Sequence, residues 1–207
     1  QSTGSSQPLY VESVIIGGEN KNIVYISSND GYYYAIDSST GELIWKKYLG
    51  VYSGGSSCES DSVTPTTALI DKSTSSIYVI SSDGSLHRLL LSTGEYYSSD
   101  WPVTNIFDAA EYIYTGAISQ YMNVLFVSLT NRCATNNAEG QLLSLEISTS
   151  TSKVYTRVFS RMITAGHSDS VGSGISILGA GGVSIDTSAG TLYLASRSSD
   201  GNIEADN

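Results

Sequence analysis

The stretch that decides the fold runs Ile23-Val24-Tyr25-Ile26-Ser27-Ser28-Asn29-Asp30-Gly31-Tyr32-Tyr33-Tyr34-Ala35-Ile36-Asp37-Ser38-Ser39-Thr40-Gly41-Glu42-Leu43-Ile44-Trp45. Its β-branched and aromatic runs suit half-buried strands. Asp30-Gly31 and Thr40-Gly41 interrupt them, and the glycine at each break supplies the positive φ that a tight hairpin needs. The stretch therefore reads as three antiparallel strands joined by two turns. The layout returns downstream as Ile77-Tyr78-Val79-Ile80, Ser82-Asp83-Gly84, Leu89-Leu90, Thr93-Gly94 and Trp101. Gly31 and Gly41 are ten residues apart, as are Gly84 and Gly94.

Two looser copies follow. Leu125-Phe126-Val127 leads through a longer loop to Glu139-Gly140 and Leu142-Leu143-Ser144-Leu145-Glu146. Glu146 stands six residues after Gly140, as Asp37 stands six after Gly31. Thr191-Leu192-Tyr193-Leu194 leads to Ser199-Asp200-Gly201, with Ala205 where Ala35 falls and Asn207 where Asp37 falls. A further strand precedes each copy: Leu9 to Ile16, Ala68 to Asp71, Tyr112 to Ile118 and Val183 to Asp186. A four-strand unit repeating at roughly 50 residues is the signature of propeller blades. No sustained 3.6-residue apolar period predicts a long helix, although 105–112 has room for one helical turn.

Ala35-Ile36-Asp37, Thr40-Gly41 and Trp45 together resemble the PQQ-like repeat of quinoprotein-type β-propellers. In that family the pattern is Ala-x-Asp/Asn, Thr-Gly, then Trp four residues after the glycine. The resemblance implies that the tryptophan of one blade packs against the next and that the glycine shapes the turn before the outer strand. The second copy departs from the pattern. Arg88 and Leu90 replace the alanine and the acidic residue, and Trp101 comes seven residues after Gly94. The third lacks the Thr-Gly turn and the tryptophan, for which Tyr155 is a substitute. The expected fold is all-β, a single propeller domain over 1–207 with blades at about 9–50, 62–104, 112–160 and 179–207. These three and a half blades are expected to be part of a larger ring, completed by more of the same chain or by another chain, because an open arc leaves strand edges unpaired.

Composition narrows the function. The net charge of −10 disfavours nucleic acid and anionic membrane surfaces as partners, since both need a basic footprint. No apolar run approaches the ~20 residues of a membrane span. The chain opens at Gln1 rather than Met, which removal of a signal peptide explains, as does a trimmed sequence. The expected location is extracellular or at the cell surface. There, Cys58 and Cys133, both in loop-like segments, can pair as a disulfide; the alternative is two unrelated thiols.

The resemblance also directs the search for chemistry. A PQQ-dependent dehydrogenase of this family would have vicinal cysteines, a Ca²⁺ held by Glu, Asn and Asp, a catalytic Asp and a tryptophan floor under the quinone. Adjacent cysteines are absent, and Trp45 and Trp101 occupy blade-packing positions. Asp37 and Glu146 read as carboxylates that cap the following turn. Gly166-His167-Ser168-Asp169 holds hydrolase residue types, but contiguous residues rarely converge as a triad. The glycines from Gly172 to Gly182 lead into a strand rather than a helix, which argues against a phosphate cradle. Asp200 to Asn207 is acidic without the spacing of a calcium loop.

The tyrosines serve packing or contact. Alternation sends Tyr32 and Tyr34 to one face and Tyr33 to the other. The residues expected to carry the fold are Gly31, Ala35, Asp37, Gly41, Trp45, Gly84, Gly94, Trp101, Gly140, Gly201 and Ala205. The expected function is a secreted, non-catalytic scaffold without a cofactor. It binds protein partners or self-assembles, and a glycan-binding propeller and part of a quinone enzyme are the alternatives.

Overall fold

The computed structural model describes residues 6–54, 66–114, 116–131, 141–147, 154–159, 176–177, 182–197 and 203–206. They form two compact units, the first containing Gln1–Ser53 and Val63–Phe107, the second Asp108–Asn207. No helix occurs among the described residues, and the strand pairs are antiparallel.

The first unit holds two blades. Strands β1 (Leu9–Ile16), β2 (Glu19–Ser27), β3 (Tyr32–Asp37) and β4 (Leu43–Tyr48) pair in sequence order as one sheet. In β2 and β3, Ile23, Tyr25, Tyr33 and Ala35 are buried, and their neighbours Val24, Ile26, Tyr34 and Ile36 lie on the other face. The alternation in the sequence is thus a true two-faced strand pattern. The second blade pairs β5 (Leu69–Asp71), β6 (Ser76–Ile80) and β7 (Leu86–Leu90).

The fourth strand expected for the second blade is reduced to two isolated bridges, Leu89 with Tyr96 and Leu86 with Val103. Between them the chain turns at Ser98, where Trp101 N–H bonds the Ser98 carbonyl at 3.3 Å, and Pro102 offers no N–H to a ladder. This excursion is why Trp101 falls later than the repeat requires.

The second unit holds the other two sheets. One comprises β8 (Tyr112–Tyr114), β9 (Ser119–Tyr121), β10 (Val124–Asn131), β11 (Gln141–Ile147) and β12 (Val154–Phe159). The other comprises β13 (Ser176–Ile177), β14 (Ser184–Asp186), β15 (Thr191–Arg197) and β16 (Ile203–Asp206). The single strand expected over 112–118 is instead two, for β8 and β9 both pair with β10. Likewise β13 and β14 both pair with β15. Ser119 joins the two sheets: its hydroxyl accepts from the Val183 N–H at 2.9 Å and donates to the Val183 carbonyl at 2.7 Å. The segment expected to offer one helical turn closes as a turn, with the Asp108 carbonyl accepting from the N–H groups of Glu111 and Tyr112.

Register confirms that the units are copies. Ser27 pairs with Tyr33, Ile80 with Leu86 and Arg197 with Ile203, each pair closing a hairpin loop of equal length. A second shared bond ties the last residue of the third strand, or the one after it, to the residue before or within the second. Ser38 N–H bonds the Asn22 carbonyl at 2.8 Å, Leu91 that of Ser75 at 3.0 Å, and Ile147 that of Asn123 at 2.7 Å.

Candidate functional site at the seam of the first two blades

The seam is an apolar core built from one face of each blade. Val11, Ile23, Tyr25, Tyr33, Ala35 and Trp45 come from the first, and Ile77, Val79, Leu89 and Leu91 from the second. One carbonyl organises it. The Leu91 oxygen accepts from the Tyr25 hydroxyl and from Trp45 Nε1, each at 2.9 Å. Both of its lone pairs are thereby used, and two buried aromatic donors are satisfied at once. The Trp45 indole lies over Gly94, where a Cβ would sit 2.7 Å from its ring carbons at a backbone φ of +70°. Only glycine meets both conditions. Trp45 and Gly94 therefore work as a contact pair across blades.

Polar groups line one part of this seam. Ser81 donates to Asp83 Oδ1 at 2.5 Å, so His87 Nε2, 2.9 Å from the same hydroxyl, carries the proton and donates to it. The other ring nitrogen, Nδ1, then accepts from the Tyr96 hydroxyl at 3.3 Å. Burial lowers the His87 pKa to about 4; Asp83 opposes this and Lys47 adds to it. Lys47 Nζ sits 4.4 Å above the Tyr96 ring and 3.7 Å from Glu95. The order Tyr96, His87, Ser81, Asp83 runs opposite to that of a nucleophilic serine, whose hydroxyl must donate to the histidine. The neighbouring cleft, between Ser28 and Gly31 of one hairpin and Ser81 and Ser82 of the other, has a volume of about 30 Å³. That suits one or two water molecules rather than a substrate.

The aspartates of the repeat are turn-formers. Asp37 Oδ1 accepts from the Ser39 N–H at 2.9 Å and the Thr40 N–H at 3.4 Å, and Lys21 lies 3.6 Å from its other oxygen. The same turn recurs between the first and second strands of other blades. Asp71 accepts from Ser73 N–H at 3.0 Å, and Asp186 from Ser188 N–H at 2.9 Å. Backbone and side-chain hydrogen bonds hold the carboxyls of Asp37 and Asp186 below the usual range; those to Ser73 and Thr74 do so for Asp71 against its desolvation. Glu146 is exposed and accepts from the Asn123 side chain at 3.3 Å.

Arg88 and Tyr97 take the places of Ala35 and Trp45. The Tyr97 N–H bonds the Arg88 carbonyl, and the Arg88 guanidinium stacks 3.6 Å from the Tyr97 ring centroid and 5.0 Å from that of Tyr78. Asp71 lies 3.7 Å from the same guanidinium. Trp101 is buried against Tyr78, ring centroids 5.9 Å apart. Gly31, Gly41 and Gly84 all have positive φ at their turns, and Ala205 pairs with Ala195 in the register that places Ala35 opposite Tyr25. Cys58, Cys133, Gly140, Gly201 and His167 lie outside the described residues. Sequence reasoning missed His87 and Tyr96; the signal was a lone histidine inside an apolar strand, nine residues before a tyrosine.

Comparison with known proteins bears on the fold. The chain is similar to a quinohaemoprotein alcohol dehydrogenase from Pseudomonas putida, with 19% identity and a TM-score of 0.64 over 95% of this chain and 29% of that one. A quinohaemoprotein alcohol dehydrogenase from Comamonas testosteroni gives 18% identity and 0.56 over 96% and 30%. BamB from Moraxella catarrhalis gives 13% and 0.50 over 99% and 62%. The fold is therefore that of PQQ-type β-propeller blades, as the repeat predicts. The chain spans under a third of the length of either dehydrogenase. No protein-family profile and no curated protein matches it.

Among the described residues no group of three His, Cys, Asp or Glu side chains is placed to hold a metal. The Trp45 ring is covered by Gly94 rather than free to floor a planar cofactor.

Proposed function

We propose that this chain is a non-catalytic propeller module that works as a scaffold, binding protein partners outside the cell or at its surface. One observation carries the reading. The face of the first blade that turns away from the seam is largely apolar and open, with exposed Lys46 paired to Tyr34 and set over the Tyr32 ring. Tyr10, Leu43 and Tyr48 on it are each about half exposed, and Val24, Ile26, Tyr34 and Ile36 lie between them, partly exposed. Tyr32 pairs across the strands with Tyr48, ring centroids 5.2 Å apart, and widens the aromatic patch. Contiguous exposed apolar surface of this kind marks a protein interaction site.

Native mass spectrometry of the protein from its natural source, with a denatured run alongside, tests this. A scaffold gives masses above one chain, made of polypeptide alone or with glycan. A single longer chain carrying the mass of a quinone and Ca²⁺ refutes the scaffold and makes this part of a dehydrogenase.

A further inference from the structure

One aromatic contact of the first blade is not required by the repeat. Gly31 and Gly84 are 53 residues apart and occupy equivalent turns, so Tyr32 answers to Ser85 in the second blade. A serine closes the same hairpin there, and the Tyr32 ring is free to serve another purpose.

Backbone register brings that ring to a second one. The Leu49 N–H donates to the Gly31 carbonyl at 2.9 Å. Tyr32 and Tyr48, the next pair along the ladder, are therefore a non-hydrogen-bonded pair, the kind in which facing side chains approach most closely. Their ring centroids stand 5.2 Å apart, with the planes inclined by 58°. Tyr34, two residues along the same strand, is further from Tyr32, at 6.2 Å. Tyr48 is 54% exposed and Tyr32 partly exposed, so a reagent in solution reaches both phenols. Tyr25 and Tyr33 are buried in the seam. Lys46 Nζ lies 5.4 Å from the Tyr32 ring centroid. Positive charge against a ring face holds its electrons more tightly, so the more exposed Tyr48 is the easier of the two to oxidise.

We propose that Tyr32 and Tyr48 are an oxidative cross-linking site, joined as a dityrosine by hydrogen peroxide acting through a peroxidase. Each phenol gives up one electron and its hydroxyl proton, leaving two tyrosyl radicals. The radicals join by one carbon–carbon bond between ring positions ortho to the oxygens. The hydrogens displaced from those positions return to the phenol oxygens as protons, which restores both rings. Peroxide takes up the two electrons and two protons and leaves as two waters. Rotation about the loosely held χ2 angles brings the ortho carbons together. The bond pins the end of β4, which lies at the edge of its sheet with β3 as its neighbour. The inference goes beyond the scaffold reading and does not depend on it.

The test treats the full chain, folded and dilute, with a haem peroxidase and hydrogen peroxide. Dityrosine fluorescence, intact mass and a tryptic map are then read. The product is expected at the mass of one chain less two hydrogen atoms. The tryptic peptide ending at Lys46 is expected to be recovered joined to the one that holds Tyr48. Tyr32→Phe and Tyr48→Phe, conservative changes at accessible positions, are each expected to lose that product, whereas Tyr10→Phe and Tyr34→Phe keep it. The untreated protein from its natural source is expected to yield the same joined peptides.

Coupling that occurs only between chains overturns the proposal, as does a joined peptide pair that persists in Tyr48→Phe. So does a natural sample in which the two peptides are recovered only unlinked.

Discussion

Gly94 and Gly41 have nearly the same backbone conformation, with φ of +70° and +74°. Alanine at either meets the same left-handed penalty, of order 1–2 kcal/mol. At Gly94 the new methyl also strikes the Trp45 ring, and overpacking of that kind costs a further ~1–3 kcal/mol. Urea titration is expected to show Gly94→Ala less stable than Gly41→Ala by that second amount; equal losses would mean that Trp45 does not rest on Gly94. Trp45→Ala removes the indole and empties part of the seam, at a cost of about 3–5 kcal/mol. His87 gives a pH signature. Its folded pKa of about 4 lies below the ordinary value of 6.5. Above pH 6.5 neither state is protonated and His87 adds no slope. Between 6.5 and 4 the unfolded chain takes up the proton and the folded one does not, so stability falls as pH falls, by about 3 kcal/mol in total. His87→Gln is expected to flatten that limb in denaturant titrations at stepped pH. A slope unchanged by the substitution would place the titrating group elsewhere.

At the scale of the element, the Asp turn is the recurrent device. Asp37, Asp71 and Asp186 each open a turn whose fifth residue is left-handed: Gly41, Ser75 and Gly190. Ser75, with φ of 50°, is the one of the three that is not glycine. Ser75→Gly is therefore expected to raise stability by about 0.5–1 kcal/mol, the left-handed strain relieved less the added freedom of the unfolded chain. A loss in thermal unfolding would mean that the serine side chain contributes more than its backbone costs. The turns and hairpins were legible in the sequence because Asp-Gly and Thr-Gly are local signals, read over a few residues. The splitting of the inner strands into β8 with β9 and β13 with β14 was not legible. It depends on which neighbour the strand packs against, as Ser119 does on Val183. The broken outer strand of the second blade could be read only in part: the late Trp101 signalled an irregularity, but Tyr97 taking its place beside Arg88 is a tertiary event. The His87 chain was equally hidden, since Ser81, Asp83 and Tyr96 become partners only once β6 and β7 pair.

At the scale of the whole molecule, the two cysteines bear on where the chain works. A Cys58–Cys133 bridge would close a loop long enough to stabilise the chain by roughly 4 kcal/mol in the chain-entropy model. Thiol titration of the denatured, unreduced protein is expected to find neither cysteine free, and reductant is expected to lower the unfolding midpoint. Two free thiols would remove the main support for an oxidising compartment. The 53-residue interval between Gly31 and Gly84 has a consequence of another kind. The first copy offers its tryptophan, Trp45, to Gly94 of the second. At the level of the gene, an in-frame duplication or deletion of one such interval joins those two surfaces again without any new point mutation. Blade number in such a lineage can therefore change by recombination alone, with selection acting afterwards on length rather than on fit.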